Sequence, residues 1–134
     1  TSSRDMRIKS IEKGGKTHSV SKLKAKLDKV FSLWVKERDN WTCITCGKFS
    51  RDPHMMNAGH YVSRRHHSLR WDERNVHAQC AGCNCFKGGA MDDYALALQE
   101  KYGEGILKEL NQLKNQTKQW KAGELLELIE RYKV

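Results

Sequence analysis

Two Cys-x-x-Cys pairs, Cys43/Cys46 and Cys80/Cys83, are the residues most plainly spaced for chemistry. Such a turn presents two thiolates to one ion with little strain, and four thiolates satisfy the tetrahedral preference of zinc. Cys43-Ile44-Thr45-Cys46-Gly47 reads as a zinc knuckle, and Cys80-Ala81-Gly82-Cys83 carries a glycine inside its turn. Four sulfur ligands leave no open coordination position, so the expected Zn2+ is a scaffold rather than a catalyst. Disulfides are the competing use of these residues. The odd total of five cysteines, the x-x spacing and the absence of a secretion signal at the start favour reduced, metal-binding thiols. Cys85 is left over, without an assigned role.

Between the pairs lie Ala58-Gly59-His60-Tyr61, an Arg/His-rich loop and Glu73-Arg74-Asn75-Val76-His77, and Asn84 directly follows the last paired cysteine. An imidazole titrating near ~6.5 can be neutral and proton-accepting at cellular pH. An amide oxygen is a hard ligand suited to Mg2+. Arg64, Arg65, Arg70 and Arg74, with Lys87 after Asn84, are a phosphate clamp in composition. The formal net charge of +9 over 134 residues points toward the same polyanion, because neutralising phosphates releases their condensed counterions. A basic balance also serves plain solubility, so charge alone does not name the partner.

The elements that must position these groups are short. Residues 1–20 mix basic side chains, Ser and Gly14-Gly15 without periodicity, which predicts a flexible basic arm able to touch DNA. From Ser21, read as an N-cap, Leu23, Leu27, Val30, Phe31 and Trp34 recur at helical spacing up to Asp39-Asn40, with Lys22, Lys24, Lys26 and Lys29 on other faces. Residues 41–90 carry no helix-length apolar pattern and form the chemical centre. Helical patterns resume over 91–134: Tyr94 to Tyr102, Ile106 to Leu113, and a last segment from Trp120 to Tyr132 with Thr117 as cap. No apolar run approaches the ~20 residues of a membrane span, which predicts a soluble protein of the cytoplasm, associated with the nucleoid. The chain opens on Thr1 rather than Met, so it reads as processed or as a piece of something longer.

Order and spacing resemble the HNH (ββα-metal) nucleases, in which a β-hairpin carries a histidine base and a final His or Asn opens a helix. The zinc-stapled form, with Cys-x-x-Cys-Asn at the helix start, looks like the endonuclease VII-type junction resolvases. Closer still, Gly59-His60-Tyr61, Leu69-Arg70-Trp71, Glu73-Arg74-Asn75-Val76-His77, Gln79-Cys80 and Cys83-Asn84 resemble the phage NinG (Rap) recombination proteins, over roughly residues 22–105. The resemblance implies that His60 is the general base, that Asn75 braces the loop and orients it, and that Asn84 ligates Mg2+ or Mn2+. It also implies branched DNA, such as Holliday junctions and D-loops, as the partner. One departure stands out: many HNH nucleases place an aspartate ligand immediately before the histidine, and here that residue is Gly59. His77 or Asn57 would then complete the shell, or Asn84 would hold the ion with DNA phosphate and water.

The expected fold is therefore α+β, a small zinc-stapled ββα-metal (HNH) core flanked by N- and C-terminal helices, in one domain over 21–134. The expected function is a metal-dependent DNA endonuclease of phage recombination that selects branched DNA by shape, with a homodimer suited to symmetric cutting of a junction. The alternative is a non-catalytic zinc DNA-binding module that recruits recombination partners, with Gly59 as its best support.

Overall fold

The computed structural model describes residues 17–134. In chain order its elements are α1 (Thr17–Arg38), β1 (Met56–His60), β2 (Val76–Cys80), a π-helical turn (Gly82–Phe86), α2 (Met91–Tyr102), α3 (Ile106–Lys114) and α4 (Ala122–Tyr132). The result is a mixed fold, helices with a single two-stranded sheet. Residues 1–16 of the expected arm lie outside the described residues. Helix α1 starts at Thr17, so Ser21 is an interior residue and not the cap.

Two compact units make up the chain, one running to Trp34 and including Gln119–Val134, the other Val35–Lys118. In the first, the four-residue spacing of Leu23, Leu27 and Phe31 buries one stripe of α1. Helix α4 buries Leu125, Leu126, Ile129 and Tyr132. The Tyr132 ring meets Phe31 and Trp34 edge-on, each at 4.8 Å, the geometry favoured by the aromatic quadrupole. The start of α4 is fixed by the Lys121 backbone N–H, which donates to the Glu124 carboxylate at 3.1 Å, not by Thr117.

The second unit is built on the hairpin. Strands β1 and β2 pair antiparallel with His60 opposite Val76, Gly59 opposite His77 and Asn57 opposite Gln79. Opposed residues share a face and faces alternate along a strand, so His60 and Val76 project from one face, Asn57, Gly59, His77 and Gln79 from the other. Two apolar clusters hold this unit together. Trp41, Cys43, Met56, Ala78, Cys80 and Cys83 form one; Leu69, Tyr94, Leu98, Ile106 and Leu110, joining the inter-strand loop to α2 and α3, form the other.

A pair overlooked in the sequence anchors β2. Arg38 donates to the carbonyls of Glu73 and Val76 at 2.8 and 2.7 Å, while Asp39 accepts the Ala78 N–H at 2.8 Å and the Arg38 guanidinium at 2.7 and 2.9 Å. Burial alone would raise the Asp39 carboxyl, but Arg38 and the Ala78 N–H outweigh it and hold the group below its ordinary value. The helix expected to open at Asn84 is a five-residue π-helical turn that closes before Lys87. It ends there because Gly88, Gly89 and Ala90 all adopt left-handed backbone, with φ of 59°, 93° and 47°, a run that reverses the chain into α2 and that glycine permits at little cost.

Candidate metal centre and histidine site

The four paired cysteines converge. Their sulfurs all lie within 4.8 Å of one another, with Cys43, Cys80 and Cys83 buried and Cys46 exposed. A Zn–S bond of about 2.3 Å sets a tetrahedral S···S edge of about 3.8 Å, and Cys46 Sγ stands 3.6 Å from Cys80 Sγ. The donor set and its spacing fit zinc. The knuckle forms because the Gly47 N–H reaches back to the Cys43 carbonyl at 2.9 Å with Gly47 at φ 79°, and the Ile44 N–H docks it on the Ala78 carbonyl of β2, also at 2.9 Å. Burial opposes ionisation of Cys43, but the Thr45 hydroxyl and the backbone N–H groups of Cys80, Cys46 and Thr45 overcome it and pull the thiol down to about 6. Cys46 and Cys83 shift the other way, Cys46 up to about 12 in spite of the Lys48 N–H, because burial and neighbouring thiols disfavour a second negative charge in the cluster until a cation shares it.

His60 closes β1, and its Nε2 lies 2.9 Å from the Arg70 carbonyl. A carbonyl only accepts, so Nε2 carries a hydrogen and donates to it. The loop that supplies this carbonyl is held by Asn75, which is fully buried. Its Oδ1 accepts the Val62 N–H at 2.8 Å, and its Nδ2 donates to the carbonyls of Val62 and Leu69 at 3.0 and 3.2 Å. One side chain therefore ties both ends of the Val62–Leu69 loop beside His60. Asn84 is half-buried in the π-helical turn, one residue past the buried Cys83.

Not every expected residue arrives at this place. His77, expected as a ligand of the second ion, projects from the sheet face opposite His60 and is fully buried. Its Nε2 meets the Tyr102 hydroxyl at 2.8 Å and its Nδ1 the Tyr94 hydroxyl at 3.3 Å. Tyr94 in turn donates to the Gly59 carbonyl at 2.6 Å, which requires His77 Nδ1–H to donate to Tyr94 and His77 Nε2 to accept from Tyr102. Burial, helped by the nearby Arg38 charge, lowers His77 to about 3 and keeps it neutral. His77 is thus a structural relay under Gly59, with both nitrogens occupied, and the ligand role falls away.

The expected phosphate clamp is also divided. Arg64, Arg65 and Lys87 are exposed, and the Arg70 guanidinium lies 4.8 Å over the Trp71 ring. Arg74 is committed internally, at 3.4 Å from Asp72 and 3.1 Å from Glu109. Tyr94 and Tyr102 bear on the site without a role assigned to them in the sequence. The two tyrosines read there as core, and only their pairing with a buried histidine across the hairpin distinguishes them.

A family model described as the bacteriophage lambda NinG protein matches residues 2–134. The chain belongs to the NinG family. Among curated NinG relatives, protein ninG of Salmonella phage P22 is 36% identical over 59% of this chain and 39% of its own length. The ninG protein of Escherichia phage 933W is 31% identical over 75% of this chain and 50% of its own length, and that of Escherichia phage lambda is 33% identical over 59% and 39%. The matched chain thus spans half or less of these NinG relatives. No solved structure matches. No described helix is long and apolar enough to cross a membrane.

Proposed function

We propose that this chain is a zinc-braced HNH endonuclease that hydrolyses DNA phosphodiesters with Mg2+ or Mn2+, selecting branched recombination intermediates by shape. The observation that carries the reading is the His60–Arg70 contact at 2.9 Å, made by a loop that Asn75 ties at two points. An imidazole whose ring is fixed by a rigid backbone partner is positioned as a general base requires. The hairpin, the π-helical turn and the four cysteines then correspond to a compressed ββα-metal core, with Zn2+ joining the knuckle to the strand that leads to Asn84.

Each of the chain's own groups has a step. His60 Nδ1 takes the proton of the attacking water, and the Arg70 carbonyl stabilises the imidazolium that results. Asn75 holds the carbonyl in place without touching substrate. Asn84 offers a hard oxygen from the turn, and Arg64, Arg65 and Lys87 hold the DNA backbone. A bound divalent ion would stabilise the charge that builds on the phosphate and leaving oxygens. Arm and lysine-rich helix suit backbone contacts rather than base readout, and symmetric junction cutting suits a homodimer.

A second reading, a zinc DNA-binding module without catalysis, is favoured by Gly59, which cannot ligate through a side chain. Incubating the zinc-replete protein with a synthetic four-way junction and with linear duplex separates the two. Cutting that needs Mg2+ or Mn2+ and stops with EDTA is the expected result; binding without cutting of either substrate under both metals overturns the nuclease.

A further inference from the structure

Between helix α3 and the loop that follows His60 lies a cavity of about 410 Å³ to which the proposed cleavage assigns no role. Its floor is apolar, made by Tyr61, Val62, Met91 and Leu107. Three of these, Tyr61, Val62 and Leu107, pack against the cluster around Leu69 and Tyr94, and Met91 is 39% exposed. Its rim is polar and cationic, with Arg65 and His66 on the loop and Asn111 and Lys114 on α3. Arg65, Asn111 and Lys114 are exposed, so a ligand can reach them. No carboxylate lines the cavity to neutralise the two cations.

Both walls are fixed. Asn75 holds the Val62 N–H and carbonyl at 2.8 and 3.0 Å, and the Ser68 hydroxyl ties the same loop to the Leu113 carbonyl of α3 at 2.6 Å. The Tyr61 ring meets Tyr94 at 5.5 Å, edge to face. A groove braced in this way has little freedom left to lose when it is filled.

Size and lining together select the occupant. Cavities of ~300–1,000 Å³ with an apolar floor and a few polar groups bury an organic ligand rather than a lone ion. An aromatic side chain beside backbone-holding cations is the arrangement that takes a base by its face and its phosphate by charge. A base stacked and paired in duplex cannot enter such a groove until it is unstacked, and that costs least where pairing is already interrupted. We infer that this groove seats one unstacked nucleotide of a DNA strand, the base over Tyr61 and the apolar floor and the phosphate between Arg65 and Lys114. The inference rests on the reading of DNA as the partner, not on cleavage. It supplies a physical reason for choosing branched DNA by shape: a branch point offers unstacked bases and a linear duplex does not.

The test compares a duplex carrying a single bulged adenine with the same duplex fully paired, bound by zinc-loaded protein without Mg2+ or Mn2+ so that neither is cut. Wild type should bind the bulged DNA at least about fivefold more tightly. The methyl resonances of Val62, Met91 and Leu107 should shift with bulged DNA, through the ring current of the seated base, and stay in place with the paired duplex. Asn111→Trp, an exposed position from which the indole fills the groove, should bring bulged DNA down to the affinity of the duplex at unchanged zinc content. Equal wild-type affinity for the two DNAs, equal methyl shifts with both, or a preference that survives in Asn111→Trp overturns the inference. Methyl shifts that follow protein concentration without DNA would assign the groove to a second copy of the chain and overturn it as well. Should Asn111→Trp lose its zinc, the wild-type methyl shifts decide alone. Bulge preference with these shifts but no cutting once Mn2+ is added would sink the nuclease reading and leave the groove standing. Cutting of the four-way junction by a protein with no bulge preference would do the reverse.

Discussion

At the scale of single residues, histidine serves two opposite purposes within one hairpin. His60 ends its strand with Nε2 on a carbonyl, while His77 is sealed between two tyrosines. The second carries a pH signature. His77 is lowered to about 3 by burial, whereas an unfolded histidine titrates near ~6.5. Its folded pKa is depressed, so the unfolded state binds the proton first. The stability it contributes is complete above ~6.5 and drains as pH falls toward 3, at up to about 1.4 kcal/mol per pH unit. Urea unfolding of zinc-loaded wild type and His77→Gln at pH 7 and pH 5 should show the steeper loss in wild type; parallel losses would mean that His77 does not drive it.

Asn75 gives the complementary prediction. Replacement by alanine strands the Val62 N–H and the Val62 and Leu69 carbonyls, and unsatisfied buried groups of this kind cost enough that Asn75→Ala should lose about 3 kcal/mol in denaturant unfolding. A loss under about 1 kcal/mol would mean that water replaces the amide and that the loop is not braced by it. Residue types announced both possibilities in the sequence, but not the difference between them. His60 and His77 look alike there; burial, sheet face and the two tyrosine hydroxyls separate them, and all three depend on pairing between distant segments.

At the scale of elements, periodicity and cysteine spacing carried far. The long N-terminal helix, the three later helices and the four-thiol cluster were all legible, because apolar residues at helical spacing and Cys-x-x-Cys turns are local signals. Boundaries were less so. The π-helical turn was expected as a longer helix through Lys87, and the left-handed Gly88-Gly89-Ala90 run that stops it is visible only as two glycines. The Arg38–Asp39 anchor was missed because Asp39 reads as a helix end, and its partner Ala78 N–H lies 39 residues away. The four-cysteine cluster joins the knuckle to the end of β2, beside the Ile44–Ala78 hydrogen bond and the apolar cluster around Trp41. Cys80→Ser should therefore leave less than one zinc per chain and poorly dispersed amide spectra; a stable, zinc-replete variant would contradict the scaffold role.

At the scale of the molecule, the charge of +9 is the feature that bears on partners. With Arg74 paired to Asp72 and Glu109, the proposed DNA contacts are Arg64, Arg65, Arg70, Lys87 and the basic N-terminal segments. If about five phosphates are neutralised, affinity for duplex or junction DNA should fall roughly 500-fold between 50 and 200 mM salt. Binding that varies less than about tenfold over that range would point to a contact of another kind. Arg74→Ala should change this slope little, since its guanidinium is already paired.

The proposed cleavage depends on one imidazole, so the decisive measurement compares wild type with His60→Ala on a four-way junction in Mn2+, scoring cutting and binding together. Loss of a positioned general base should slow cleavage by about 10²–10⁴-fold while junction affinity and zinc content stay at wild-type values. Cutting by His60→Ala at the wild-type rate would show that the histidine held by the Arg70 carbonyl is not the base, and the proposed site would have to be abandoned.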